Sequence, residues 1–152
     1  MHKSASNEPP ITLRRATRHD APILLDWRND PMTRSASKSA RQVRMSEHLA
    51  WIDSVLNDPK RVLLIAEAGG HAVGTLRADD DNEITMLSWT VAPAFRGRGL
   101  GPRMLAEFLS GFTGTARADV REDNVPSRRM VEALGFQRGE TVDGFTSWYW
   151  HQ

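Results

Sequence analysis

Hydrophobic and polar positions alternate in short blocks whose period changes along the chain. ITLRRA (Ile11 to Ala16) alternates with period two and predicts a strand. Asp20 as a cap, with Pro22 in the first turn, opens a helix through Ile23, Leu24, Leu25 and Trp27 that ends at WRNDP. From Pro31 to Met45 the pattern loses its period and turns to Ser, Arg and Lys, which predicts a mobile loop. Ser46 is expected to cap a second helix with a core stripe of Leu49, Ile52 and Leu56. His48, Trp51 and Val55 fall on another face, and Asn57, Asp58 and Pro59 end it.

VLLIAEA (Val62 to Ala68) is a continuous apolar run of strand length. Gly69 and Gly70 turn it into HAVGTLRA, and ADDDNE reads as a hairpin loop into EITMLSWTV. Three consecutive strands in a meander are expected. Beyond a glycine-rich stretch, Pro102 sits in the first turn of a helix whose apolar face is Met104, Leu105, Phe108, Leu109 and Phe112, ended by Gly111 and Gly114. ARADV (Ala116 to Val120) alternates as a strand. Asn124 and Pro126 start a helix closed by Leu134 and Gly135, and FTSWYW is an aromatic strand. This order predicts an α/β fold with a mixed, mostly antiparallel central sheet flanked by about four helices.

Composition narrows the chemistry. The chain has 152 residues, enough for one domain over 11–152 behind a tip, 1–10, expected to be disordered. With 39% hydrophobic residues, 26% charged residues and a net charge of +1, it shows no global attraction to nucleic acid or an anionic membrane. There is no cysteine, which removes disulfides, thiolate metal sites and a cysteine nucleophile and fits a cytoplasmic location. His2, His19, His48, His71 and His151 have no metal-ligand spacing. Asp79, Asp80 and Asp81 lack the continuation of a calcium loop and are read as turn residues.

VAPAFRGRGLG (Val91 to Gly101) lies between a strand and a helix. It is not a P-loop, because Pro102 and Arg103 follow Gly101. Neither Pro102 nor Met104 completes a G-x-G-x-x-G dinucleotide fingerprint, although Asp119 lies near the distance of a ribose-binding acid. The stretch does fit R-x-x-G-x-G through Arg96, Gly99 and Gly101. Glycines let backbone approach a ligand, and converging N–H groups at a helix N-terminus favour a pyrophosphate, with Arg96 and Arg98 adding charge. The alternative is an ordinary glycine loop with solvated arginines.

R-x-x-G-x-G together with NVPSRRMVEALGF (Asn124 to Phe136) resembles the GNAT acetyltransferase superfamily. The resemblance implies acetyl-CoA as co-substrate and an acyltransferase acting by direct transfer to an amine. It implies cofactor contacts at Val91, Arg96, Gly97, Arg98, Gly99, Leu100, Gly101, Asn124 and Ser127. It also implies a splay between the strand at Ala116 to Val120 and the strand ending at Val91, whose backbone N–H would stabilise the oxyanion. WRNDP and SEHLAWI (Ser46 to Ile52) resemble the branch that acetylates nucleotide-linked amino sugars of the pseudaminic acid type. That makes Arg28, Asn29, His48 and Trp51 acceptor contacts and sets Arg34, Lys38, Arg41 and Arg44 against nucleotide phosphates. Trp27 and Trp51 as core aromatics, and a solvated basic loop, are the plainer readings.

The chain departs from the common pattern twice. The usual general-acid tyrosine falls at Val131, and the usual central-strand carboxylate falls at Met86. Glu83 and His48 remain as candidate bases, Glu83 with the plainer role of a hairpin-end carboxylate. The favoured acceptor is a nucleotide-linked amino sugar. Alternatives are a RimJ-like enzyme of protein N-termini, an enzyme of a small amine such as an antibiotic, and a non-enzymatic acyl-CoA sensor. Neither nucleic acid nor membrane is an expected partner, and a homodimer is permitted.

Overall fold

The computed structural model describes residues 8–39 and 41–152. Chain order is β1 (Ile11–Arg15), α1 (Ala21–Asn29), α2 (Pro31–Ala36), α3 (Met45–Leu56), β2 (Arg61–Ala68), β3 (His71–Asp81), β4 (Ile84–Val91), α4 (Leu100–Ser110), β5 (Thr115–Arg121), α5 (Val125–Ala133), β6 (Gln137–Val142) and β7 (Phe145–His151). The strands form one seven-stranded sheet, β1-β2-β3-β4-β5-β7-β6. Only β4 and β5 pair in parallel. The expected mostly antiparallel α/β sheet is present, with five α-helices among the described residues instead of about four.

The sheet is buried on both faces. Leu76, Ala78, Leu87, Ala116, Ala118 and Val120 pack with Leu105 and Leu109 of α4 and Val131 of α5. Leu63 and Ile65 pack on the other side with Leu24 and Trp27 of α1 and Ile52 and Val55 of α3. Neighbouring residues on each strand therefore serve opposite layers, as the pleat requires.

Several sequence expectations need correction. The stretch from Pro31 is not all loop. Asp30 accepts from Thr33 N–H at 3.2 Å, and the cap starts the short helix α2. Helix α3 opens at Met45 with Arg44, two residues ahead of the expected Ser46, as its N-cap, and Glu47 Oε1 accepts Arg44 N–H at 3.3 Å. Its buried face is His48, Ile52 and Val55, whereas Leu56 is exposed. The buried face takes His48 and Val55 from one expected stripe and Ile52 from the other, because packing on α1 and β2 fixes the helix rotation between the two. Asp20 occupies the cap position of α1 but turns its carboxylate to Arg14, at 2.8 and 2.9 Å, and to Thr17 N–H. Strand β3 runs on through Asp79, Asp80 and Asp81, so the hairpin turn narrows to Asn82 and Glu83, both at positive φ.

Residues 1–7 of the N-terminal tip lie outside the described residues. Arg103 of α4 donates to the Glu8 carboxylate at 3.0 Å and to the Pro9 carbonyl at 2.5 Å, which ties residues 8 and 9 to the fold. No helix among the described residues is long and apolar enough to cross a membrane.

Candidate active site

The two parallel strands separate halfway along. β4 and β5 pair only from Ile84–Thr115 to Leu87–Ala118. Beyond that, β4 stays on β3 as far as the pair Val91–Gly74, and β5 stays on β7 as far as Arg121–Phe145. A gap therefore opens between residues 88–91 and 119–121. Ala92 N–H donates to Val73 O at 2.8 Å, and antiparallel partners alternate between bonded and non-bonded pairs. Val91, one residue earlier, accordingly turns its N–H away from β3 and toward the gap.

On the α4 and α5 side the gap meets a cleft of about 280 Å³. Val91, Arg96, Gly97, Gly99, Leu100, Gly101 and Ser127 all line it, so the strand end, the glycine loop and the start of α5 share one space. Gly99 is the N-cap of α4 at φ 71°, with no side-chain cap and no acidic residue in the first turn. The helix thus presents uncapped N–H donors and the positive end of its dipole, which suits a phosphate group. Gly101 serves packing instead. A Cβ there would lie 3.3 Å from Met130 Sδ and 3.5 Å from Val91 Cγ2, so α4 packs closely on α5 and β4 and a larger side chain would have to displace the Met130 side chain. Leu100, buried between them, anchors the loop in the core.

The remaining cofactor candidates are close by. Asn124 Oδ1 accepts Ser127 N–H at 3.3 Å and caps α5. Arg98 is exposed, its guanidinium 5.4 Å from the Phe95 ring. Arg96 lines the cleft but points its guanidinium across to α2, bonding Asp30 at 2.5 Å and Thr33 Oγ1 at 3.1 Å. That contact holds Asp30 below the usual carboxylate range and joins the glycine loop to the N-terminal helices.

The α1 to α3 face of the gap is polar. Ser88, on the central strand, is exposed and floors an opening. On one side stands Arg77, whose register partner is Ser88, with Trp51 of α3 above it. The guanidiniums of Arg28, Arg77 and Arg61 lie 5.0, 5.4 and 6.0 Å from the Trp51 ring centroid. On the other side stands Asp119, the first β5 residue past the last β4 pair. It accepts from Lys38 Nζ at 2.6 Å, Arg117 Nε at 2.9 Å and Ser147 Oγ at 2.9 Å. Burial pushes the Asp119 carboxyl up, but the bonds from Arg117, Lys38 and Ser147 outweigh it and hold the group below its ordinary value. It is ionised at neutral pH.

Other candidates stand elsewhere. Glu83 sits in the β3–β4 turn, at the opposite end of β4 from Val91 and roughly 26 Å away at strand rise. The hairpin-end reading replaces the catalytic one. His48 is 1% exposed, with Nε2 3.0 Å from Ala21 O. A carbonyl only accepts, so Nε2 carries the hydrogen, and burial pushes the imidazole below its usual pKa. His48 is an interior residue beneath Trp51, whose ring stacks on it at 6.0 Å, not a base facing the gap. Asn29 clamps the following loop at both ends of its amide, to Val43 O at 2.8 Å and Val43 N–H at 2.7 Å. Arg41 and Arg44 pair with Glu47, and Arg34 Nε donates to Asn29 O at 3.1 Å. The basic loop is thus engaged with protein groups. Val131 is fully buried in the core, and Met86 is half-buried on the same face as Arg117. Sequence reasoning missed Asp119 and Arg77 as wall residues. The alternation of ARADV placed Arg117 and Asp119 on one face, and that signal was available.

The sequence matches the family described as Acetyltransferase (GNAT) domain over residues 11–137. No curated protein matches it significantly. Among solved structures, an acetyltransferase from Thermus thermophilus superposes with TM-score 0.79 at 22% identity, over 93% of this chain and 96% of that one. Spermidine N-acetyltransferase from Vibrio cholerae, in complex with CoA and spermine, gives TM-score 0.82 at 15% identity over 92% and 94%. Aminoglycoside acetyltransferase AAC(6')-Ib, in complex with coenzyme A and kanamycin, gives 0.78 at 22% over 93% and 95%. The matched span takes in β1, the parted strands, the glycine loop and α5, and on it the chain belongs to the GNAT acetyltransferase family.

Proposed function

We propose that this chain transfers an acetyl group from acetyl-CoA to an amine approaching from the α1 to α3 side, with a nucleotide-linked amino sugar as the favoured acceptor. The observation that carries this reading is the gap between β4 and β5, which joins the glycine-loop cleft on one face to a polar opening on the other. The N–H groups of α4 and the loop take the CoA pyrophosphate, and α5 flanks the thioester arm. Val91 N–H donates to the carbonyl oxygen as charge develops on it, a type of contact worth roughly 10²–10³ in rate. The ionised Asp119 holds the acceptor's amine end at the gap electrostatically. The held ammonium first gives one proton to solvent; the neutral amine nitrogen then forms the C–N bond and loses a second proton to solvent as the C–S bond breaks. With Val131 buried where a tyrosine would stand, the leaving thiolate takes its proton from water.

WRNDP and SEHLAWI support the sugar-nucleotide acceptor, because Arg28 and Trp51 from these segments meet at the opening. Spermine and kanamycin, the molecules bound by two of the structural neighbours, are polycations. Here three arginines surround Trp51, which disfavours such acceptors. Release of free CoA thiol from acetyl-CoA, measured with a UDP-linked amino sugar, an N-terminal peptide, spermidine and kanamycin, tests the reading. Turnover is expected with the first. CoA binding with no turnover on any amine would overturn the enzyme assignment and leave an acyl-CoA sensor.

A further inference from the structure

Trp51 carries three guanidiniums around one ring, and they share a single carboxylate. Asp79 takes Arg61 at 3.2 Å and Arg77 at 2.9 Å. Arg28, 5.0 Å from the ring centroid, has no carboxylate within ion-pair distance among the described residues. An indole face attracts a cation but neutralises no charge, so like charges remain gathered around Trp51. Loss of solvent, and then the charges of Arg77 and Arg41, push the Arg28 pKa down against the opposing charge of Glu47. Such clustering is unfavourable until an anion arrives.

The loop cations first expected to meet phosphates are not among the guanidiniums on the Trp51 ring. Lys38 is bound to Asp119, and Arg41 and Arg44 to Glu47. Arg77 lies beside Ser88, one strand spacing of about 5 Å from the edge of the gap. An acceptor whose amine sits near Asp119 can therefore reach this cluster with its other end.

We infer that Arg28 and Arg77, held over Trp51, form an anion site that recognises a phosphate or carboxylate on the acceptor, remote from the amine that is acetylated. The inference rests on the acetyl-transfer reading and names the feature that selects the substrate within it. The guanidinium fork takes two oxygens of such a group, and Trp51 fixes the plane of the fork. Arg61, sharing Asp79 with Arg77, adds charge behind the pair.

Calorimetry on the full chain tests this. CoA is titrated first, and its heat reports the cofactor cleft independently. With that cleft saturated, uridine diphosphate and succinate are titrated separately into the wild type, Arg28→Gln and Arg28→Lys. Uridine diphosphate is expected to bind the wild type at least tenfold more tightly than Arg28→Gln, with Arg28→Lys recovering part of the loss. The same pattern with succinate alone also supports the site and assigns it to a carboxylate. Absence of binding by both anions, or equal binding to wild type and Arg28→Gln, overturns the inference. Failure of CoA itself to bind would instead overturn the acetyl-transfer reading. Circular dichroism of each variant verifies that the fold is retained.

Discussion

On the α4 and α5 face of the sheet, the cleft gathers the end of β4, a glycine loop and two helix N-termini. On the α1 to α3 face, the opening is walled by long charged side chains, and some of these groups are paired to residues far off in sequence. Lys38 meets Asp119 across 81 positions, Arg96 meets Asp30 across 66, and Arg61 meets Asp79 across 18. Backbone donors at a helix start suit any diphosphate, whatever acceptor accompanies it. Side chains can be exchanged without disturbing the fold, and they are where one member's acceptor preference is set.

Gly99→Val should break the backbone side most severely. The residue sits at φ 71°, where a β-branched side chain is strained by about 1–3 kcal/mol, and its Cβ would meet open space rather than the core. CoA affinity by calorimetry is expected to fall more than tenfold while the chain stays folded. Unchanged affinity would mean the loop is not the cradle.

Asp119→Asn tests the side-chain face. The carboxylate is 8% exposed, but Lys38 and Arg117 reach solvent and tolerate losing it. Acceptor kcat/KM should drop by roughly 10²-fold with acetyl-CoA affinity unaltered, the scale of losing one charged contact near the reacting groups. An equal loss for both substrates would reduce Asp119 to a structural role.

Asp30→Ala addresses the link between the faces. It removes the cap of α2, costing about 0.5–2 kcal/mol, and releases Arg96 to the glycine loop. Urea unfolding should register the lost stability, and CoA should bind a few-fold more tightly. Weaker CoA binding would show that the Arg96–Asp30 pair supports the loop in its working shape.

The smallest effect is in pH dependence. His48 has a pKa lowered from 6.5 in the folded chain, so the unfolded state binds more protons below that value. Stability should be full above pH 6.5 and fall as pH drops, by up to about 1.4 kcal/mol per pH unit. Glu47, held down to about 2 first by Arg41 and then by Arg44 N–H, loses its contribution only as pH falls below 4.5, outside this window. His48→Gln should flatten the slope between pH 5 and 6.5 in urea melts. An unchanged slope would place the titrating group elsewhere.

Legibility differs between the two faces for a physical reason. Arg96, Gly97, Gly99, Leu100, Gly101 and Ser127 were readable because turn geometry and a helix start are set by neighbours within a few positions, and all of them line the cleft. His48 and Glu83 were misjudged as bases because a residue type says nothing about its depth or its distance from the gap. Helix α3 carries two periodic faces in the sequence, and packing alone set the buried one between them, as His48, Ile52 and Val55.

By itself, the chain's order of residues determined most of the elements, the glycine loop at a helix start and the family, but not α2 or β6, because the former depend on local backbone preference and hydrophobic period. Tertiary structure alone decided where β4 and β5 part, that Asp119 stands at the opening, and that Arg28 and Arg77 gather on Trp51. Those arrangements depend on strand register and on contacts between distant segments, which no local pattern encodes.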